Sequence, residues 1–256
     1  NATFTAKGTL AKGAAGEAVL EIAKSRFAGM AAEGRVALAT DGARLSRSEA
    51  DVTLGATRLR AKGSLGRPGD TLDVSFASPD LGPIGRALGH ATGGSVDLEA
   101  RVSGTFAALS GRASVEAKGL LLPGDLRLAA ASGRVELGAG EAGAANGQLV
   151  LQGLARRGEK EALVEQASVA IKGTRQAHEI RLVAKFPGEM SAQALLDGGL
   201  VPGARLPEWR GRLEAMSTAG LTDFALAAPA TLVLSAGRFE LGEALFAGEP
   251  GRIRLA

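Results

Sequence analysis

Ser95-Val96-Asp97-Leu98-Glu99-Ala100-Arg101-Val102 alternates small or apolar residues with charged ones and does not break the rhythm. Successive side chains of an extended strand point to opposite faces, so this stretch makes a ribbon with one apolar face and one charged face. Thr71-Leu72-Asp73-Val74-Ser75-Phe76, Arg134-Val135-Glu136-Leu137 and His178-Glu179-Ile180-Arg181-Leu182-Val183-Ala184-Lys185-Phe186 repeat the phrase. From Val36 to Leu255, about 16 to 19 such ribbons follow one another, each closed by Gly, Pro, Asp or Asn. The pattern predicts an all-β chain. Its function turns on what so much one-sided apolar sheet buries its face against.

The composition argues against a thick, jigsaw-packed core. Among 256 residues, aromatics make up only 4%, with one Trp (Trp209), no Tyr and eight Phe. Aromatic rings normally supply much of a core's buried area, and a chain of Ala, Leu and Val makes a thin sheet more readily. There is no cysteine, so neither a disulfide nor thiolate chemistry is available. No stretch reaches the roughly 18 consecutive apolar residues that a membrane-spanning helix needs. The net charge is +3, with Arg and Lys alternating with Asp and Glu instead of clustering, which describes a solvated sheet surface. Nucleic-acid binding needs a basic stripe with stacking aromatics, and Arg156-Arg157 is the nearest approach.

Turns are expected at Asp41-Gly42, Arg67-Pro68-Gly69-Asp70, Gly104, Gly111, Pro123-Gly124-Asp125 and Asn146-Gly147, with a charged hairpin tip from Arg156 to Glu161. Residues 79–89 interrupt the alternation. Leu81, Ile84 and Leu88 fall three and four apart, on one side of a short helix laid across the apolar face. Ser78 is placed to cap that helix, Pro79 to start it and Gly89 to follow it. Leu200 to Glu208, with Pro202-Gly203 and Pro207, is the longest expected loop. No composition shift marks a boundary, so residues 1–256 read as a single elongated β-repeat segment, cut from a longer repetitive protein because both ends fall inside strand-like phrases. Repeats of about 10 to 16 residues are too loose for a strict solenoid or propeller.

No catalytic constellation assembles. His90 and His178 lack the neighbours of a zinc site or a triad; the first is expected to close the short helix and the second to start a strand on the core side. Gly138-Ala139-Gly140 is not followed by the Lys-Ser/Thr pair of a phosphate loop. Asp97 and Glu99 sit with Arg101 on a charged face, and Trp209 reads as a strand-start anchor over neighbouring turns. The expectation is a non-enzyme with no catalytic residue, no metal and no cofactor.

The succession Asp80-Leu81-Gly82-Pro83-Ile84, Gly94-Ser95-Val96-Asp97-Leu98, Val102-Ser103-Gly104-Thr105, His178-Glu179-Ile180-Arg181-Leu182, Trp209-Arg210-Gly211-Arg212-Leu213 and Leu226-Ala227-Ala228-Pro229-Ala230 resembles an internal stretch of the TamB family. That family is the inner-membrane-anchored subunit of the translocation and assembly module of diderm bacteria, with relatives among AsmA-like and bridge-like lipid-transfer proteins. The resemblance covers most of residues 70–256. It implies an elongated, twisted β-sheet curled lengthwise into an open trough, a β-taco with an apolar interior. It implies a periplasmic location, transport of phospholipid between inner and outer membranes, and help to an outer-membrane barrel partner of the TamA type in protein assembly. It supplies no catalytic residue, and it implies that the membrane anchor lies outside this chain.

The residues lead to a trough by a separate route. Strands stack about 4.8 Å apart, so 18 of them would run roughly 85 Å, and twist forces such a sheet to curl or be covered. Closing it with Ala, Leu and Val leaves few bulky side chains for the middle, whereas an open groove accepts acyl chains. The expected groove lining comprises Leu72, Val74 and Phe76, then Val96 and Leu98, then Val115. It continues through Val135, Leu137, Leu149 and Leu151, then Val169, Ile171, Ile180, Leu182 and Phe186, and ends with Leu232, Leu234, Phe239 and Leu241. The expected partners are phospholipid acyl chains, with no nucleic acid. The alternative expectation is a scaffold whose open strand edges receive outer-membrane protein clients by β-augmentation.

Overall fold

The computed structural model of the chain describes residues 2–9, 15–202, 208–220, 223–249 and 251–255. Among them the chain is all-β: nineteen strands, antiparallel wherever they pair, and one short helix. It divides into two compact units, Asn1–Asp125 and Leu126–Ala256.

The first unit is a meander. Strands β1 (Ala2–Thr9), β2 (Ala15–Phe27), β3 (Met30–Asp41), β4 (Leu45–Leu54), β5 (Thr57–Leu65), β6 (Thr71–Ser78), β7 (Ser95–Thr105) and β8 (Ala108–Leu122) each pair with the next in sequence. Among the described residues no pairing joins β1 to β8, so this sheet is open rather than a closed barrel. The expected turns at Asp41-Gly42 and Arg67 to Asp70 are present, and so is the one at Pro123 to Asp125 that leads out of the unit. Gly104 and Gly111 lie inside β7 and β8, and the turn falls at Phe106-Ala107 instead. Gly104 is held in the sheet by backbone bonds to Asp70 and Gly66, which prolong pairing past the point where glycine suggested an end.

The helix α1 spans Gly82–Ala87, later and shorter than expected. Ser78 does not cap it. Its hydroxyl stays in β6, 2.8 Å from that of Thr57, and both residues are buried. Asp80 accepts the Gly82 N–H at 2.8 Å instead, and Pro83 stands in the first turn. Gly89, at a φ of +75°, does follow the helix, and the His90 N–H donates to the Gly85 carbonyl at 2.8 Å, closing it as expected. The helix belongs to the β6–β7 connection: the Leu81 N–H donates to Gly94, and Leu88 is 63% exposed.

The second unit is also a meander, with its later strands broken into shorter segments. Strands β9 (Leu126–Leu137), β10 (Ala145–Arg156), β11 (Ala162–Gly173), β12 (His178–Lys185), β13 (Ser191–Leu200) and β14 (Glu208–Ala219) pair in order. The first half of β14 then pairs with β16 (Ala230–Ser235), which pairs with β17 (Arg238–Leu241). Its last residues pair with β15 (Phe224–Leu226), which continues through β18 (Ala244–Gly248) to β19 (Gly251–Leu255). The charged tip from Arg157 to Glu161 is present. Asn146-Gly147 is not a turn but the start of β10, and residues 138–144 make the connection. Of the expected loop between Leu200 and Glu208, the stretch 203–207 lies outside the described residues.

The charged faces carry ion pairs set by register. Asp73 stands opposite Arg101, which holds it with both Nε and Nη2. Asp51 is held in the same two-pronged way by Arg58. These guanidinium bonds draw both carboxyls below their ordinary value. All four side chains are about half exposed, so water and salt screen them and they fix register more than stability.

Candidate functional site: the apolar face

Pairing register assembles the expected lining residues into rows. In the first unit, Val52, Leu59, Phe76, Leu98 and Val115 stand opposite one another across β4 to β8. Beside that row runs Gly63, Leu72, Val102 and Gly111, and between them Ala61, Val74, Ala100 and Ala113. Ser78, Val96 and Ala117 form a fourth. Leu72, Val74, Phe76, Val96, Leu98 and Val115 therefore share one face, and each is half-buried. A slip of one residue in any strand would send its apolar set to the charged side, which is why the alternation specifies register so strongly.

In the second unit one row reads Val135, Gly147, Ile171, Ile180, Leu196, Leu213 and Ala230 across β9 to β16. The next reads Gly133, Leu149, Val169, Leu182, Ala194 and Met216. Leu151 joins the small row of Ala131, Ala167, Ala184 and Ala192, and Leu137 stands opposite Ala145. Leu232 pairs with Leu241, and Leu234 with Phe239. Phe186 lies just past the end of β12, where its N–H donates to Met190, so it belongs to the connection and not to a row.

Burial along this face is uneven. Its middle is a packed cluster of Leu196, Trp209, Leu213 and Leu232, flanked by Ile180, Leu182, Ala194, Met216, Leu226, Leu234 and Leu241. Its flanks are open: Val135, Leu137 and Leu149 on one side and Phe239 on the other are exposed, Phe239 to 69%. Leu196, Leu213, Met216 and Leu226 went unread in the sequence. Adjacent Leu195 and Leu196 blur the alternation, and an extra residue in β14, Glu214, shifts its parity. Trp209, Gly211 and Leu213, two apart, were the available signal.

Trp209 sits near the start of β14, as expected of an anchor, and is 7% exposed. Its ring packs against two glycines in register, Gly198 and Gly211; a Cβ on either would come within 2.6 Å or 2.5 Å of ring carbons. Across that glycine floor the indole N–H donates to His178 Nε2 at 2.9 Å, and His178 Nδ1 donates to the Thr174 carbonyl at 2.8 Å. The indole can only donate, so Nε2 must be the unprotonated nitrogen and Nδ1 the protonated one. His178, expected to be a strand-start core residue, is that and also the polar catch of an aromatic lid.

One polar lock serves the first unit. Asp70, between β5 and β6, receives Arg44 Nε at 2.8 Å and Nη2 at 2.6 Å, the Ser64 hydroxyl at 2.8 Å and the Arg67 N–H at 2.9 Å. The guanidinium bonds, joined by Ser64 and Arg67, lower the Asp70 carboxyl to about 2. The lock ties the β3–β4 turn to the β5–β6 turn and leaves no oxygen free for chemistry. His90 is exposed, and among the described residues no group of His, Asp and Glu is arranged to hold a metal ion. No helix among them is long and apolar enough to cross a membrane. No family model matches the chain, and neither the curated proteins nor the solved structures contain a match to it.

Proposed function

We propose that this chain is a segment of a hydrophobic conduit that binds phospholipid acyl chains along its apolar face and passes them between inner and outer membranes in the periplasm of a diderm bacterium. The observation that supports the reading is the row Val52, Leu59, Phe76, Leu98 and Val115, half-buried except for the exposed Leu59, which continues from strand to strand without a charged interruption. Each methylene moved from water onto such a face contributes about 0.8 kcal/mol. An acyl chain needs no polar partner to stay, and equivalent neighbouring rows let it slide. The headgroup rides in water beside the charged edge.

Photo-crosslinkers at Leu137 and Leu149, both exposed on the apolar face, test this in cells. Lipid adducts at these positions and loss of lipid flux in Leu137→Asp are expected. If the protein purifies without phospholipid and Leu137→Asp leaves flux unchanged, the reading fails. Trapped polypeptide at edge-strand positions, with none of the lipid, is the outcome that would instead establish a scaffold for outer-membrane protein assembly.

A further inference from the structure

Four positions in register make one row across the second unit: Gly173 on β11, His178 on β12, Gly198 on β13 and Gly211 on β14. The glycines leave the row without side chains, and the Trp209 ring packs against the last two. The neighbouring row holds Ile171, Ile180, Leu196 and Leu213, and the last two of these share the buried cluster with Trp209. Holding the ring down keeps this apolar centre closed. The indole has one polar atom, and its bond goes to His178 Nε2 at 2.9 Å.

That bond needs an unprotonated Nε2. Histidine is the side chain whose ordinary charge change falls between about pH 5 and pH 8. On protonation both ring nitrogens become donors. Nδ1 keeps the Thr174 carbonyl, but Nε2–H then faces the indole N–H, donor against donor. Both residues are buried, so neither donor finds water while the ring stays in place.

The charged groups around His178 offer no relief. Lys172, Glu179, Asp197 and Arg212 form a row on the opposite face of the sheet. Arg181, Glu208 and Arg210 share that face, where Glu179 pairs with Arg181 and Glu208 with Arg210. Across β16, Arg238 and Glu240 of β17 bond to each other there. At the turn before β12, Arg175 is itself a cation, and Glu141 accepts the Gln176 amide at 2.9 Å. Among the described residues no carboxylate pairs with His178.

We propose that His178 is an acid-operated latch. Neutral, it holds Trp209 on the glycine row. Protonated, it releases the ring, and the centre of Leu196, Leu213 and Leu232 opens toward the exposed Val135, Leu137, Leu149 and Phe239. Losing the hydrogen bond shifts the balance of closed and open forms roughly 5- to 150-fold. The device does not depend on what the apolar face carries.

Trp209 is the chain's single tryptophan, so its emission reads the latch directly. The experiment titrates the full chain from about pH 8 to about pH 5. Emission should move to longer wavelength, acrylamide quenching should increase, and the uncharged apolar dye N-phenyl-naphthylamine should bind. All three changes should be reversible and leave far-ultraviolet circular dichroism unchanged. His178→Gln, which keeps an acceptor and gains no charge, should hold the emission at its neutral position throughout. His90→Gln, at the exposed second histidine, should leave the transition as it was. If His178→Gln disturbs the fold, the ring-carbon resonances of His178 in the unmodified protein decide, since they must titrate together with the emission. Emission that stays constant, a transition that persists in folded His178→Gln, or resonances that titrate apart from it overturns the proposal. Each result is read without lipid. Purified protein free of phospholipid would therefore sink the conduit and leave the latch, while constant emission would do the reverse.

Discussion

The two units use the same alternating ribbons and differ in how they hold them. Among its described residues the first buries one large apolar side chain, Leu65 at the end of β5; its other buried apolar residues, Ala32, Ala37 and Ala117, are small, and its firmest tie is the Arg44–Asp70 lock between turns. The second folds Trp209 over a glycine floor, catches it with His178 and gathers Leu196, Leu213 and Leu232 beneath one apolar cluster. A sheet of small residues can be held by polar bonds at its ends or by one large ring across its middle. The first solution leaves Leu72, Val74, Phe76, Leu98 and Val115 half-buried, while the second seals the centre and leaves the flanks open. The difference lies in where apolar surface remains available to a ligand.

Removing the ring is the strongest way to break that contrast. Trp209→Ala should destabilise the second unit by about 3–5 kcal/mol, as expected for truncating a buried aromatic. Hydrogen exchange should show the loss in β12 to β16 and spare β3 to β7. Equal loss of protection in both would mean the units do not differ as described.

Removing only the catch is the milder perturbation. His178→Ala leaves the indole N–H buried without an acceptor, which costs about 1–3 kcal/mol, and a denaturant midpoint would register it. His178→Gln, which supplies an acceptor, should recover part of the loss. If His178→Ala leaves the midpoint and the Trp209 emission unchanged, the histidine is not holding the lid.

The lock of the first unit is sharpened by acid. The Asp70 carboxyl is at about 2 in the folded chain against an ordinary 3.8, so the unfolded chain binds the proton more readily. Its contribution is full above the ordinary value and is lost as the pH falls from there through about 2. Amides around Asp41 to Leu45 and Leu65 to Asp70 should lose protection over that range. Asp70→Asn should remove that dependence and leave the Trp209 environment untouched. Acid loosening confined to the second unit would contradict the assignment.

Much of this was legible in the residues. Alternation in Ser95 to Val102 or His178 to Lys185 gives both the strand and the side it buries, because the side-chain period of an extended chain is two. Pro123-Gly124-Asp125 and Arg67-Pro68-Gly69-Asp70 mark turns because few other conformations suit them. Asn146-Gly147 misled for a physical reason: the pair favours a tight hairpin, yet here Gly147 stands between Val135 and Ile171, continuing a row across three strands. Ser78 looked like a helix cap until Thr57 brought a hydroxyl to it from a neighbouring strand.

By itself the sequence determined the all-β class, the apolar and charged sides of each ribbon and the lack of bulky residues to fill a closed core. Those are properties of side-chain period and composition, and they are local. Only the tertiary structure decided that Gly198 and Gly211 come into register beneath Trp209, that His178 receives the indole proton, and that β14 gains a residue, Glu214, opposite Leu195 and Leu196. Each of these depends on which strands become neighbours and in what register, information carried by pairs of residues distant in the chain and by no single stretch of it.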